Sequence, residues 1–225
     1  MTALETEVEH CRCGANAHNP KTIVLTGGPS GGKTRLLETI RESLCPHVGL
    51  LPESASIIFG GGFPRDERLV VRRAAQRAIY HVQDELERLA QEDGALGIVL
   101  CDRGTLDGLA YWPGDEDSFF GQLETTRDWE LRRYSAVLHL RTPAADCYDR
   151  TNPLRIESAR EAAALDEKIA AAWRGHPHRV VIDAAATFEE KLAAALAVVR
   201  AELPACCLAV SGQRPACEHC EEERS

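Results

Sequence analysis

The sequence predicts a doubly wound α/β fold, a mainly parallel five-stranded sheet with helices on both faces. Three observations lead there. Short apolar runs rich in β-branched residues alternate five times with stretches of helical periodicity. The intervening stretches are long enough for the crossover helices that parallel pairing requires. Finally, Gly27-Gly28-Pro29-Ser30-Gly31-Gly32-Lys33-Thr34 matches the pattern G-x-x-x-x-G-K-[ST] where that pattern belongs, between a strand and a helix.

The elements follow in order. Thr22-Ile23-Val24-Leu25-Thr26 is a short β-branched run, and Thr34 through Leu44 carries Leu36, Leu37, Ile40 and Leu44 at helical spacing. Val48-Gly49-Leu50-Leu51-Pro52 reads as a second strand ending at Glu53. Gly60-Gly61-Gly62 then interrupts regular structure, which predicts a flexible loop after Glu53. Pro64 through Asp93 reads as one long helix with Ile79, Val82, Leu86 and Leu89 on one face and Gly94 as its stop. The continuous apolar run Gly97-Ile98-Val99-Leu100-Cys101 has the character of a strand covered on both faces, and delivers Asp102-Arg103-Gly104 at its C-terminal end. A loop through Trp112-Pro113-Gly114 leads to a helix over Phe119 to Arg133 and a fourth strand, Ala136 to Leu140. Two capping boxes, Ser158 with Glu161 and Thr187 with Glu190, open helices on either side of a fifth strand, Arg179 to Ile182.

Composition bounds the function class. The 225 residues, 44% hydrophobic and 27% charged, suit a single domain over residues 21–203, with tails at 1–20 and 204–225. No apolar stretch reaches the roughly 18 to 20 residues of a membrane span, and the acidic N-terminus lacks the features of a signal peptide. A cytoplasmic location is expected, and a membrane partner is not. Acidic residues outnumber basic ones 35 to 26, so the overall field repels polyanions and nucleic acid is not an expected partner. A phosphate-bearing ligand must be gathered by local geometry instead.

That geometry is the loop at residues 27–34. Its glycines let successive backbone N–H groups point inward at phosphate oxygens, the following helix adds its positive dipole end, Lys33 reaches the β and γ phosphates, and the Thr34 hydroxyl ligates Mg²⁺. A nucleoside triphosphate, ATP or GTP, is the expected ligand, held by Gly27, Gly28, Pro29, Ser30, Gly31, Gly32, Lys33, Thr34 and Arg35. Asp102 stands where a carboxylate after an apolar strand completes the Mg²⁺ site; capping a turn is its plain alternative. Arg103 can grip phosphate or substrate hydroxyls, or form a structural salt bridge. Asp107 binds substrate or caps a turn, and Tyr111 and Trp112 stack on a ring or pack in the core.

Taken together, the phosphate loop, Pro52-Glu53-Ser54-Ala55 and Cys101-Asp102-Arg103-Gly104-Thr105-Leu106-Asp107-Gly108-Leu109-Ala110-Tyr111 resemble the AAA-type ATPase-like P-loop family that includes the kinase domain of bifunctional nicotinamide-riboside kinases. The resemblance spans about residues 21 to 203. It implies that Glu53 acts as base toward a sugar hydroxyl, that Asp102-Arg103 contacts substrate, and that the γ-phosphoryl passes to a small hydroxyl-bearing metabolite such as a nucleoside. A surface carboxylate is the plain reading of Glu53. Kinases of this architecture carry a mobile lid after the fourth strand, here around residues 150–160. Arg155 or Arg160 supplies its cation, depending on whether Asn152-Pro153 or Ser158 opens the next helix. The chain lacks the N/T-K-x-D guanine-reading motif and the room for the helical lid domain of ring-forming ATPases. A nucleotide-hydrolysing or nucleotide-binding regulator is the alternative.

Nine cysteines, an odd count, argue against a fully paired framework. Cys11-x-Cys13 and Cys217-x-x-Cys220 would ligate Zn²⁺ if the two tails packed together, and are otherwise exposed thiols. Cys45, Cys101 and Cys147 read as buried small hydrophobes.

Overall fold

A computed structural model describes residues 18–29, 31–142 and 159–208. Its centre is a parallel sheet of β1 (Lys21–Thr26), β2 (Val48–Leu51), β3 (Ile98–Asp102), β4 (Ala136–Leu140) and β5 (Arg179–Ile182), in the order β2-β3-β1-β4-β5. The three inner strands are the apolar runs of the sequence, and β3 and β4 are buried at every position because helices cover both faces.

On one face, α1 (Lys33–Glu42) and α8 (Phe188–Glu202) bring Leu36, Leu37, Ile40, Ala195 and Val199 against Ile23, Leu25, Leu100 and Leu138. Opposite them, α3 (Leu69–Asp93), α4 (Asp107–Tyr111) and α7 (Ala159–Ala172) pack Ala90, Leu106, Ala110 and Ile169, with Trp173 just beyond α7, on Val24, Val99, Cys101 and Val137. Side chains alternate across each strand, so neighbouring residues feed opposite cores. The chain leaves the central strand β1 in one direction to reach β2 and β3 and in the other to reach β4. Its C-terminal edge is therefore the topological switch point at which such sheets hold ligands.

Several boundaries depart from expectation. The segment after Glu53 is not a loop: α2 (Ser54–Gly60) begins at once, and its Ser54 hydroxyl donates to Gln83 Oε1 on α3 at 2.7 Å. The glycine run only ends that helix. The long helix starts at Leu69 rather than Pro64, and ends as expected, with Gly94 left-handed at φ 64°. The helix expected over Phe119 to Arg133 is two, α5 (Glu116–Leu123) and α6 (Arg127–Arg132). Glu124 turns left-handed at φ 53° and Thr126 caps the second helix by accepting from Trp129 N, a local competition that helical periodicity does not register. Both halves of the Thr187–Glu190 capping box are formed. Ser158 lies outside the described residues.

A polar network is buried between α3, α6 and β3. Glu130 accepts from Tyr80, Thr105 and Thr125 hydroxyls at 2.6, 2.6 and 2.7 Å, and Glu87 accepts from Gln83 Nε2 and Tyr134 Oη at 2.8 and 2.9 Å. Arg133 reaches Asp84 and Glu87 at 2.7 Å each, and Glu130 at 3.5 Å. Replacing Arg133 by Met leaves those carboxylates without their cation and is expected to cost about 3 to 5 kcal/mol in denaturant unfolding. Burial already raises the Glu87 carboxyl, with Arg133 the first influence holding it down. In Arg133→Met its native pKa rises further above the unfolded value, so the deficit should grow as pH rises from 5 to 8.

Candidate nucleotide-binding site

Beyond Thr26 the chain passes close against the end of β4. Gly27 adopts φ 128°, and a Cβ there would sit on the Leu140 carbonyl oxygen. Gly32, left-handed at φ 78°, is the N-cap from which α1 starts. The Lys33 ammonium lies inside this loop, donating to the carbonyls of Gly27 and Gly28 at 3.1 and 2.8 Å. Burial, followed by the Arg103 charge, lowers its pKa to about 8. The ammonium is held by neutral carbonyls where an anion would suit it better. The next residue, Thr34, donates its hydroxyl to Asp102 Oδ2 at 3.0 Å. Asp102 is buried at the tip of β3; desolvation raises its carboxyl against the opposing pull of Lys33. A hydroxyl and a carboxylate of this kind form the hard-oxygen pair that Mg²⁺ takes, so these residues fit the ion that accompanies a nucleotide.

Arg103 has φ 74°, a conformation unfavourable for a residue with a Cβ, and its N–H donates to the Leu25 carbonyl at 3.1 Å. This turn carries the guanidinium back across the site. Nε donates to Glu53 Oε1 at 2.6 Å, and Nη1 donates to Gly27 O at 3.2 Å and Asp107 Oδ1 at 3.3 Å. Although burial opposes the charge, Tyr111, Asp107 and Glu53 raise its pKa. Glu53 precedes α2 and accepts from the Ser56 hydroxyl at 2.7 Å. Desolvation lifts its carboxyl, but Arg103 and Ser56 outweigh that effect and leave it below the usual range.

Beside this group lies a cavity of about 950 Å³ between α2, the chain that follows it, α3 and α4. Glu53, Arg103 and Pro29 stand on its phosphate-loop side, with Arg65, Arg72 and Gln76 elsewhere along the wall.

The structure brings together Gly27, Gly28, Pro29, Gly31, Gly32, Lys33, Thr34, Glu53, Asp102 and Arg103. Arg35 places its guanidinium over the Phe188 ring at 4.4 Å, and Arg160 is exposed in the first turn of α7. Ser30, Arg155, Cys11, Cys13, Cys217 and Cys220 fall outside the described residues, as does most of the expected lid. Trp112 is buried against Phe119, their rings edge to face at 5.5 Å, whereas Tyr111 lines the cavity. Asp107 serves as an internal anchor, accepting from Gly104 N at 3.0 Å and Trp173 Nε1 at 3.1 Å besides Arg103.

Sequence reasoning missed Asp166. It accepts from Gly28 N at 2.9 Å, pairs with His139 Nε2 at 2.9 Å and meets Arg141 Nε at 3.2 Å, tying the phosphate loop to α7 and the end of β4. Ala162, Asp166, Ile169 and Trp173 form a buried helical stripe. A lone carboxylate in such a stripe is the signal that could have found it.

The sheet order, the loop and the Thr34–Asp102 pair define a P-loop fold of kinase type. The chain belongs to the AAA domain family whose profile matches residues 22–191. No curated protein sequence matches it. Thymidylate kinase from Candida albicans superposes with a TM-score of 0.55 at 14% identity, over 81% of this chain and 92% of that one. Deoxyadenosine kinase from M. mycoides, solved with the products dCMP and dCDP, gives 0.56 at 11% identity, over 80% and 99%. At these identities the likeness concerns the fold. Among the described residues no helix is long and apolar enough to cross a membrane.

Proposed function

We propose that this protein is a Mg²⁺-dependent kinase that transfers the γ-phosphoryl of ATP or GTP to a hydroxyl of a small nucleoside-like metabolite. The observation that carries this reading is the Arg103 bridge. One guanidinium spans the Glu53 carboxylate and the Gly27 carbonyl, which places a carboxylate beside the phosphate cradle at the edge of a cavity of small-molecule size.

Phosphoryl transfer asks a protein mainly for alignment and positive charge. In this reading the Gly27–Thr34 loop cradles the phosphates, Lys33 leaves its carbonyl partners for the β and γ oxygens, and Thr34 and Asp102 hold the ion. Mg²⁺ held there would supply charge neutralisation to the phosphates. Glu53, ionised and fixed by Arg103 and Ser56, accepts the hydrogen bond of the attacking hydroxyl and orients it. Arg103 then lies next to the migrating group. Arg155 or Arg160 supplies a further cation from the expected lid at residues 150–160, within a catalytic domain of residues 21–203. The cavity accommodates an acceptor with a ring and polar edges, in keeping with the nucleoside and nucleotide substrates named for the two structural relatives.

A panel of nucleosides, nucleoside monophosphates, nicotinamide riboside and coenzyme precursors, assayed for stimulated ADP or GDP release, tests the proposal. At least one acceptor should raise release well above the water background and emerge phosphorylated. Turnover indifferent to every acceptor would sink the kinase reading in favour of a nucleotide-hydrolysing regulator.

Lys33 gives the site a pH signature. With its free pKa near 8 and polyphosphate raising it on binding, affinity should be level below pH 8 and fall above it, by up to about tenfold per unit. Proton uptake should accompany binding at pH 8.5, measurable by calorimetry in buffers of different ionisation enthalpy.

A further inference from the structure

At the other end of the sheet from the phosphate loop, where the chain enters β2, the side chains of Cys45, His47 and Cys207 converge, each offering a donor atom within 4.8 Å of the others. His47 Nδ1 lies 3.2 Å from Cys207 Sγ and 4.0 Å from Cys45 Sγ. A tetrahedral zinc with bonds of about 2.0 to 2.3 Å sets neighbouring donors roughly 3.5 to 3.8 Å apart, a spacing these two distances bracket.

We propose that this protein carries a zinc site built from Cys45, His47 and Cys207. The His18 ring lies alongside, its centroid 4.9 Å from that of His47. Two thiolates and an imidazole are a donor set that selects zinc over the Mg²⁺ of the nucleotide site.

The backbone around the cluster is fixed before any metal arrives. The His47 carbonyl accepts from Gly97 N and Ile98 N at 2.8 and 3.0 Å, holding the turn between α1 and β2 against the start of β3. Cys207 lies in α9 (Ala205–Leu208), and its N–H donates to the Pro204 carbonyl at 2.9 Å. His18 N donates to Gly94 O at 2.8 Å, at the end of α3. Cys45 and Cys207 are buried and His47 is partly exposed, so the pocket is enclosed by protein but open to an entering ion. Cys45 is therefore buried as expected, yet it faces a histidine and a second thiol rather than apolar neighbours alone.

The ion would join two segments remote in sequence, the α1–β2 turn and α9. It would fasten α9 to the sheet without touching the nucleotide. Cys11, Cys13, Cys217 and Cys220 lie outside the described residues, and the proposed site does not draw on them.

Elemental analysis of the full-length protein, purified under reducing conditions without chelator, should give about one zinc per chain. The protein reconstituted with Co²⁺ should show thiolate-to-metal charge transfer and tetrahedral d–d bands. The Cys45→Ser/Cys207→Ser variant should lose both signals while retaining its circular dichroism and nucleotide affinity, because the phosphate loop is at the opposite sheet edge. The quadruple variant Cys11→Ser/Cys13→Ser/Cys217→Ser/Cys220→Ser should keep both. Unmutated protein that takes up neither metal overturns the proposal, as does metal retained by the double variant or lost from the quadruple one. The Co²⁺ spectrum needs no variant, so misfolding of a mutant cannot decide the matter.

Discussion

Glu53→Gln is expected to lower acceptor-dependent turnover by about 10²- to 10⁴-fold, the usual scale for a group that manages a proton at the reacting centre. Nucleotide affinity should change by less than about threefold, because among the described residues Glu53 reaches the phosphate loop through Arg103. Glutamine preserves the shape: its Oε1 can still accept from Arg103 Nε, while its Nε2, in the place of Oε2, would donate to the Ser56 hydroxyl oxygen. What disappears is the negative charge facing the hydroxyl. A second readout follows from electrostatics. Glu53 helps to keep Lys33 protonated, so removing its charge should move the alkaline fall in nucleotide affinity toward lower pH. Coupled ADP assays with and without acceptor, alongside calorimetric titration, measure both. Acceptor-dependent turnover within a few-fold of the unmutated protein would remove Glu53 from the mechanism.

Lys33→Ala should produce changes of opposite sign in two measurements. Nucleotide affinity is expected to fall by roughly 10- to 150-fold, the equivalent of about 1.5 to 3 kcal/mol for hydrogen bonds to a charged group, and turnover should fall further. The ligand-free protein, however, should be no less stable and is expected to gain stability. A pKa lowered from 10.5 to about 8 means that the folded state disfavours this buried ammonium by about 3 kcal/mol before any nucleotide is present. The two carbonyls it leaves, at Gly27 and Gly28, are the offsetting term. Thermal unfolding and nucleotide titration on one preparation test the pair. A Tm lowered by several degrees would show that Lys33 serves the fold rather than the ligand.

Much of the architecture was legible because its signals are short in range. A strand needs only a few apolar residues and a helix only a repeat of three or four, so β1, β3, β4 and α1 stand close to where periodicity puts them. Errors arose where a neighbouring signal was stronger than periodicity. Gly60-Gly61-Gly62 suggested a flexible loop after Glu53, but α2 has α3 to pack against, and the Ser54–Gln83 hydrogen bond spans 29 positions that no local window covers. Glu124 and Thr126 broke one expected helix into two through side-chain and dihedral preferences that averaging hides.

The candidate site divides along the same line. From the sequence alone came the phosphate loop, its flanking strand and helix, the carboxylate at the tip of β3 and the doubly wound sheet. All are patterns in contiguous residues, whose spacing is set by backbone geometry. Only the tertiary structure decided that Arg103 joins Glu53 across 50 positions, that Asp166 holds Gly28 across 138, and that His47 meets Cys207 across 160. Such pairings depend on which strands lie side by side and how the helices between them are covered. The free energy that selects this arrangement is summed over the two faces of the sheet, and no stretch of contiguous residues contains it.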